Sequence, residues 1–343
     1  MRCPALTELP PPPPGKTGWP WTEESEPVPD EMPDGRPWPL VSIVTPSYNQ
    51  GQFIEETIRS VLLQGYPSVE YFIMDGGSTD GSVDIIRRYA PWLSSWVSEK
   101  DRGQVDAINK GWARSHGEIV AWLNSDDVYL RQVLSHQVWA LCQHPESGLV
   151  YGEAVFTDVH GRPLRPFHAR PFSRRRLLHV NLVPQPTAFF RRNLIETCGG
   201  LDASFQSAFD YEFLLRGMWV APFYYTGELV ATYRLHTESK TVSGSEQSIE
   251  ETIRIVQRVC DRHPVELRGV KRKSISDWYW SGAMRGVDAR AARDVLRYCA
   301  AAIQAYPVRP RMIVFGLKMI DTVFHTEFVE DLVLFLDKRA GSS

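Results

Sequence analysis

The sequence predicts an α/β fold in which a mainly parallel central sheet is flanked by helices on both faces. Short apolar, β-branched runs alternate along the chain with segments whose apolar residues recur at helical spacing. Polar residues follow the ends of several of these runs, as expected where parallel strands finish at one edge of a sheet. Of the 343 residues, 43% are hydrophobic, which is enough for one full domain and a smaller addition.

The alternation of strand and helix begins at residue 40. The first predicted strand is closed by Pro46, the second is stopped by Asp75, and the last of this series ends at Asn124. Asp75 and Asp126 therefore fall at the carboxyl ends of strands. In chain order the predicted elements are strand 40–45, helix 53–64, strand 71–74, helix 82–89, strand 96–97, helix 105–115 and strand 118–123.

The remaining chain is predicted to extend this sheet and then to become helical. Residues 149–240 mix strands with a helix at 211–217, and residues 246–305 carry helical periodicity. Residues 309–338 form an apolar-rich stretch punctuated by charges. The predicted strands of this half are 149–156, 187–190, 223–226 and 229–234.

Changes in composition divide the chain into a tail at 1–39, a main domain at 40–240 and a helical region at 241–343. The tail is acidic and rich in proline, including the run Pro10–Pro14. Such a segment buries too little apolar surface to offset the entropy of ordering, so we expect an extended, mostly disordered or surface-draped lead-in. A spacer is favoured over a docking ligand for a proline-binding domain.

Charge and cysteine content disfavour several classes of protein. Lys and Arg total 38 against 41 for Asp and Glu, so the chain lacks the basic excess of a nucleic-acid surface. The five cysteines are odd in number and far apart, without a C-x-x-C pair, which favours a reducing compartment. We expect no secretory leader, and no apolar run reaches the roughly 18 residues of a membrane span. These features predict a cytoplasmic location or the cytoplasmic face of a membrane.

Several acidic residues and one histidine are candidates for chemistry. Asp126 and Asp127 follow an apolar strand, where carboxylates can hold Mg²⁺ or Mn²⁺ against phosphate, although a turn with a helix cap explains them equally well. Asp210 lies among aromatic residues before a helix and suits a general base, with a helix N-cap as the simpler alternative. His236 could complete a metal site, but a lone loop histidine is more often a surface residue.

Motifs in a fixed order make this sequence similar to a known family. They are VSIVTPSYN at 41–49, MDGGSTDG at 74–81, DAINKG at 106–111 and NSDD at 124–127. Together they resemble inverting, non-processive family-2 glycosyltransferases of the GT-A fold, over residues 40–240. The resemblance implies transfer of a single sugar from a UDP- or GDP-linked donor to a hydroxyl of a glycan or lipid-linked acceptor. Such enzymes build cell-surface polysaccharides and glycoconjugates, with Mn²⁺ or Mg²⁺ as the cofactor.

The resemblance also implies roles for individual residues. It places the nucleobase pocket at Pro46, Tyr48 and Asp75 and the diphosphate side at Arg102. Ser125 and Asp126 are further donor-binding residues. The metal ligands are Asp126, Asp127 and His236, and the catalytic base is Asp210. The implied reaction is a direct displacement that inverts the anomeric carbon, because the base and the leaving group lie on opposite faces of the sugar.

Two departures from the family pattern qualify this picture. Asn124 and Gly76 stand where many relatives have Asp, which weakens the choice of nucleotide more than the reaction class. The Q-x-x-R-W motif of processive synthases is missing, so we expect transfer of one sugar.

Two other functions compete with the glycosyltransferase. An inactive nucleotide-sugar binding module is disfavoured because the aspartates at positions 75, 126, 127 and 210 are all retained. A sugar nucleotidyltransferase is disfavoured because Pro46–Asn49 replaces the Gly-rich basic loop expected after its first strand.

Two further segments suggest contacts with an acceptor or a surface. Residues 183–187 resemble an acceptor-side loop in which Gln185 bonds a sugar hydroxyl, and a proline-braced turn is the equal alternative. Residues 309–320 place apolar side chains beside basic ones, which suits an interfacial helix on anionic lipid. An ordinary packing helix or a homodimer contact explains this stretch as well.

Overall fold

The computed structural model describes residues 1–237, 239, 245–288 and 292–306 of the chain. The chain divides into two compact units, one made of Met1–Arg174 with Asn181–Val242 and the other of Arg175–Val180 with Ser243–Ser343. The tail at 1–39 thus belongs to the same unit as most of the main domain. The predictions made for 309–338 and 309–320 lie outside the described residues.

The described part of the first unit contains one sheet of nine strands. The strands are β1 Val41–Ser47, β2 Val69–Asp75, β3 Ser95–Ser98, β4 Ile119–Trp122, β5 Val128–Tyr129, β6 Leu149–Thr157, β7 Pro163–Phe167, β8 Phe189–Arg191 and β9 Phe223–Arg234. Their order is β3-β2-β1-β4-β8-β6-β9-β5, with β7 beside β6. Strands β3, β2, β1 and β4 are parallel, whereas β8 runs antiparallel to both β4 and β6. The parallel prediction is confirmed for this first half, and the extended sheet is mixed.

Helices cover the sheet of this unit and join its parallel strands. They are α1 Ile54–Leu62, α2 Ser82–Tyr89, α3 Gln104–Arg114, α4 Val133–Gln143, α6 Arg192–Cys198 and α7 Phe209–Gly217, whereas all but the first residue of the short helix α5 Arg174–Leu177 belongs to the second unit. The elements predicted before residue 125 are all present, whereas α4, α6 and the short strands β5 and β7 were not predicted. Since parallel strands need a crossover connection, each helix between β1 and β4 follows from the sheet direction.

Two predicted boundaries shift for local reasons. Strand β1 continues through Pro46 to Ser47, because β4 stops opposite Val44 and leaves the ring of Pro46 beside β2 alone. The predicted strands 223–226 and 229–234 are one strand, β9, whose pairing with β6 shifts near Gly152. Gly227 has φ +74° at this bulge, and a Cβ on Gly152 would lie 2.3 Å from the Glu228 carbonyl oxygen.

The N-terminal tail is held against the first unit by a buried arginine. The Arg59 guanidinium on α1 donates from Nε to the Pro20 carbonyl, from Nη1 to the Pro10 carbonyl and from Nη2 to the Trp21 carbonyl, at 2.8–2.9 Å. The tail also buries Trp21 and Trp38. Of the two expectations for residues 1–39, the structure therefore shows a surface-draped segment, and the mostly disordered lead-in was wrong.

The described part of the second unit is helical, as predicted for 246–305. Its long helices are α8 Ser245–Arg262, α9 Lys271–Asp288 and α10 Ala292–Ala305. Residues 175–180 pack with them, since the Trp278 indole donates to the Leu178 carbonyl at 2.8 Å. None of the helices in the described ranges combines the length and the apolar character that a membrane crossing requires.

Candidate active site

Polar side chains gather at the edge of the sheet where β1, β2 and β4 end. Ser47 pairs with Asp75 across β1 and β2, and Val44 pairs with Trp122 across β1 and β4. Residues 124–127 leave β4 at the same edge, since the three strands are parallel. Tyr48 follows β1 with 61% of its surface exposed, while Pro46 is buried within the strand. The structure thus brings Tyr48, Asp75 and the NSDD segment to one edge, as predicted.

The Asp75 carboxylate is almost fully enclosed by hydrogen bonds. Its Oδ2 accepts from the Gly77 and Ser78 amides and from the Ser98 hydroxyl at 2.7–3.1 Å, while among the described residues Oδ1 accepts from the Ser78 hydroxyl alone, at 2.5 Å. Oδ1 is therefore the less crowded of the two oxygens. Asp75 is therefore a fixed acceptor at the end of β2.

Gly76 stands beside another carboxylate, that of Asp101. A Cβ on Gly76 would lie 3.0 Å from Asp101 Oδ2, so a second Asp at position 76 would point one carboxylate at another. The Asp101 side chain is itself fixed, because its Oδ1 accepts from the Gly103 amide at 2.8 Å. This contact gives a physical reason for the departure from the family pattern at Gly76, and Asp101 was not singled out from the sequence.

Asp126 and His236 form the central pair of the candidate site. Their Oδ2 and Nε2 atoms are 2.9 Å apart, and the Phe53 ring packs against the imidazole at a centroid distance of 4.9 Å. Asp126 Oδ1 takes no hydrogen bond from the described residues. His236 is buried, so the surface alternative was wrong, and its place in a metal site stays a prediction.

Asp127 is directed into the protein. Its Oδ1 accepts from the Arg234 amide at 3.0 Å and its Oδ2 faces the Asn124 amide nitrogen at 3.3 Å. Burial raises the pKa of Asp127 well above its usual range, and the neighbouring charge of Asp126 adds to the shift. The predicted ligand set of Asp126, Asp127 and His236 is therefore assembled only as the pair Asp126 and His236. The physical reason is that the Asp127 oxygens are turned toward donors of β9 and of its own turn.

Side-chain amides connect the NSDD turn to its neighbours. Asn124 accepts from Gln104 Nε2 at 2.7 Å and donates to Gln185 Oε1 at 3.0 Å. Gln185 in turn donates to the Trp122 carbonyl at 2.9 Å. Both functional atoms of Gln185 are thus used inside the protein, which favours the proline-braced turn over a bond to a sugar hydroxyl. Ser125 lies buried between these residues and Asp126.

The DAINKG motif fixes α3 beside the candidate site. Asp106 accepts from Arg102 Nη2 at 2.9 Å and lies 3.2 Å from Lys110 Nζ, and its hydrogen bond with Arg102 is the main cause that lowers its pKa to about 2. The Asn109 amide bonds both backbone groups of Leu201 at 2.9–3.0 Å. Arg102, predicted to face the diphosphate, is 88% exposed at the start of this helix.

Asp210 lies in the first turn of α7 and is partly buried. The helix begins at Phe209 and Ala208 takes the N-cap position, so the N-cap alternative for Asp210 was wrong. Arg216 anchors the helix by donating from Nη2 to the Gly200 carbonyl at 2.7 Å, and its guanidinium also forms a bidentate pair with Glu212 on the same helix at 2.7–2.8 Å. An acid in the first turn is favoured as a carboxylate by the helix dipole.

The Asp126 and His236 pair fits one side of a divalent cation site. The separation of Nε2 and Oδ2 is that of a hydrogen bond, and adjacent ligands of an octahedral ion with bonds of about 2.1 Å would stand about the same 3 Å apart. No group of three or more His, Cys, Asp or Glu side chains within the described ranges is arranged to hold a metal. The remaining ligands of such a site would come from a phosphate-bearing ligand or water, as is usual for Mg²⁺.

Solved structures with the same architecture identify the fold of this protein. The chain is similar to Staphylococcus aureus TarS 1–349 in complex with UDP-GlcNAc, with 16% identity and a TM-score of 0.53, over 78% of this chain and 91% of that one. It is also similar to mannosyltransferase PcManGT from Pyrobaculum calidifontis in complex with GDP-Man and Mn²⁺, with 18% identity and a TM-score of 0.51, over 91% and 86%. At these identities the likeness shows the fold, which is that of a GT-A type glycosyltransferase.

Sequence comparison gives the family. The model described as glycosyl transferase family 2 matches residues 42–199. An uncharacterized glycosyltransferase of Mycobacterium tuberculosis is 33% identical over 188 residues, which are 53% of this chain and 70% of that protein. A putative teichuronic acid biosynthesis glycosyltransferase of Bacillus subtilis is 41% identical over 138 residues, or 39% and 54%. The chain belongs to glycosyl transferase family 2, and it is a glycosyltransferase.

Proposed function

We propose that this glycosyltransferase moves a single sugar from a nucleotide diphosphate sugar to a hydroxyl of a glycan or lipid-linked acceptor, with inversion at the anomeric carbon. The observation that carries the proposal is the contact of Asp126 Oδ2 with His236 Nε2 at 2.9 Å, at the edge where Asp75 and Tyr48 also lie. A carboxylate and an imidazole in contact supply two ligands for Mn²⁺ or Mg²⁺ beside a nucleotide pocket.

The donor nucleoside is proposed to bind where β1 and β2 end. The exposed Tyr48 ring offers a flat apolar surface for the base, and Pro46 lies behind it in the strand. Asp75 Oδ1 has fewer donors than Oδ2, and it is the oxygen proposed to accept from a base N–H, a group that both uracil and guanine carry. The diphosphate would follow toward Ser125, Asp126 and the exposed guanidinium of Arg102, which suits phosphate oxygens. A cation held by Asp126 and His236 would supply positive charge to the departing diphosphate.

Asp210 is proposed as the base that accepts the proton of the acceptor hydroxyl. As this proton passes to the carboxylate, the acceptor oxygen forms its bond to the anomeric carbon. The bond from that carbon to the diphosphate oxygen breaks, and its electron pair leaves with the nucleoside diphosphate. Attack and departure on opposite faces invert the anomeric centre. Asp127 serves in this scheme through its bonds to the turn, because its carboxylate is directed at Arg234 and Asn124.

The relatives support an acceptor in cell-surface polysaccharide or glycoconjugate synthesis. One relative is named for teichuronic acid biosynthesis in Bacillus subtilis, and others for PGL/p-HBAD biosynthesis in mycobacteria, the latter 28% identical over 182 residues. The similar structures contain UDP-GlcNAc in one case and GDP-Man in the other, so both nucleotides belong in the test.

The test incubates the purified chain and Mn²⁺ with a panel of UDP- and GDP-sugars and measures release of the nucleoside diphosphate. We expect turnover or slow hydrolysis of one or two donors. Asp126→Ala should lower release by about 100-fold or more, and Asp210→Asn should slow it strongly. Asp84→Asn is the matched control, because Asp84 lies in an exposed ion pair with Arg87 on α2 and should leave release unchanged.

Other outcomes would identify the competing functions. Tight binding of a nucleotide sugar without release by any variant would mean an inactive binding module. Formation of a nucleotide sugar and pyrophosphate from a nucleoside triphosphate and a sugar 1-phosphate would mean a nucleotidyltransferase. Equal release by the wild type, Asp126→Ala and Asp210→Asn would refute the residue roles.

A further inference from the structure

We propose that Arg234 is a positioning residue that keeps the Asp126 and His236 side chains in the relative position needed to bind the cation. The inference rests on the proposed function, because it concerns how the cation pair is kept in place. Arg234 is the last residue of β9, and its side chain is buried. It lies between the two chain segments that carry the pair.

The first link runs from Arg234 to the NSDD turn. Arg234 Nε donates to the Asp126 carbonyl at 2.9 Å, and the Arg234 backbone amide donates to Asp127 Oδ1 at 3.0 Å. The turn is therefore fastened to the end of β9 by two hydrogen bonds. One of these bonds is accepted by the backbone carbonyl of Asp126 itself. Loss of that bond would therefore let the Asp126 carboxylate shift.

The second link runs from Arg234 to His236 through an aromatic ring. The Arg234 guanidinium carbon lies 4.8 Å from the centroid of the Phe53 ring, and the His236 ring lies 4.9 Å from the same centroid. Phe53 immediately precedes α1, so the imidazole packs against a ring that is itself held by the guanidinium. This packing restricts the rotation of His236.

The remaining donors of Arg234 fix the guanidinium itself. Its Nη2 donates to Glu56 Oε2 at 2.9 Å, and its Nη1 donates to the Val159 carbonyl at 3.1 Å. Glu56 lies in the first turn of α1 and balances the buried charge. The planar guanidinium thus bonds the NSDD turn, α1 and the segment after β6 at once. A lysine ammonium keeps the charge but not this fork of donors.

Arg59 provides a matched control within the same unit. It is also a buried arginine, it also bonds several carbonyl oxygens, and it lies on the same helix as Glu56. Its hydrogen-bond partners among the described residues belong to the N-terminal tail and to Tyr89 rather than to the candidate site. Loss of either guanidinium should lower stability, but only Arg234 should affect the cation.

The experiment measures Mn²⁺ binding by electron paramagnetic resonance, with Mn²⁺ alone and with added UDP or GDP, for the wild type, Arg234→Lys, Phe53→Leu and Arg59→Lys. Arg234→Lys should weaken Mn²⁺ binding by about tenfold, the effect typical of losing a partner that orients a metal ligand. In the donor assay it should raise the Mn²⁺ concentration for half-maximal release by a similar factor, with kcat largely restored at saturating Mn²⁺. Arg59→Lys should lower Tm without changing Mn²⁺ binding.

Phe53→Leu keeps the test decisive if Arg234→Lys fails to fold. It removes the ring between Arg234 and His236 and leaves the hydrogen bonds of Arg234 in place, so Mn²⁺ binding should weaken by about threefold or more. Unchanged Mn²⁺ affinity in a folded Arg234→Lys or Phe53→Leu protein would overturn the inference, as would an equal loss in Arg59→Lys. Failure of the proposed function is distinguishable, because the wild type itself would then release no nucleoside diphosphate from any donor.

Discussion

The Asp126 carboxylate and the His236 imidazole lie 110 positions apart in the chain and meet at 2.9 Å. One follows β4 in the parallel half of the sheet and the other follows β9 in the mixed half. As the proposed ligands of one ion, these two residues should act as a unit, so the effects of removing them should not be additive. The candidate site therefore contains residues from both halves of the sheet.

The first prediction tests that unit. Asp126→Ala and His236→Ala should each lower nucleoside diphosphate release by about 100-fold or more, and the double variant should be little worse than either alone. The rates are compared at fixed Mn²⁺ in a double-mutant cycle. Effects that multiply in the double variant would show that the two residues act separately.

A second prediction concerns Asn124, which stands where many relatives have Asp. Its Nδ2 faces Asp127 Oδ2 at 3.3 Å and donates to Gln185 Oε1 at 3.0 Å. Asn124→Asp would put an acceptor where these oxygens need a donor, so the free energy of unfolding at neutral pH should fall by about 2–3 kcal/mol. Urea denaturation measures it, with Asn124→Ala as the control for loss of the donor alone. A variant as stable as the wild type would contradict this account of the turn.

The sequence predicted the parallel half of the sheet and the edge that carries the site, because both depend on local signals. Apolar runs such as 71–74 predict a buried strand, and the following Asp75 predicts where that strand ends. The GT-A resemblance then assigned roles to residues at that edge. The inward direction of Asp127 had no such signal, since neighbouring residues of a turn point in different directions and only the donors of β9 decide which one is enclosed.

Long-range contacts account for most of what was not predicted. The placement of Arg234 against Phe53 depends on how β9 joins the sheet beside β6, and no periodicity reports that pairing. The order of the tail depends on Arg59, which on the sequence is only one polar residue in a predicted helix. Arg59 can be buried because carbonyl oxygens of the tail accept hydrogen bonds from its guanidinium.

A third prediction follows from the lowered pKa of Asp106. The hydrogen bond from Arg102 and the nearby Lys110 lower this pKa from 3.8 to about 2. The folded state thus binds the proton more weakly than the unfolded state, so the contribution of Asp106 to stability is present above 3.8 and is lost as the pH falls through about 2. The difference in unfolding free energy between the wild type and Asp106→Asn should shrink across this window. A difference that does not change with pH would argue against the ion pair.

A fourth prediction tests the close packing of α3 on β1. A Cβ on Gly111 would lie 2.4 Å from Val44 Cγ1, a distance that requires the helix or the strand to move. Gly111→Ala should lower the free energy of unfolding by about 1–3 kcal/mol, measured by urea denaturation. Adding Val44→Ala removes the clashing methyl groups, so the alanine at 111 should cost less in that background. An equal cost in both backgrounds would rule out this contact as the cause.

A fifth prediction concerns the N-terminal tail and its buried arginine. Arg59→Ala would leave the carbonyl oxygens of Pro10, Pro20 and Trp21 without their donor, so stability should fall by about 3 kcal/mol. Residues 1–39 should also become more susceptible to limited proteolysis, because several carbonyl groups of the tail accept hydrogen bonds from this one guanidinium. Arg87→Ala is the control, since Arg87 pairs with Asp84 at an exposed position on α2, away from the tail. Cleavage of the tail at the same rate in the wild type and Arg59→Ala would mean that burial of Trp21 and Trp38, rather than Arg59, holds it.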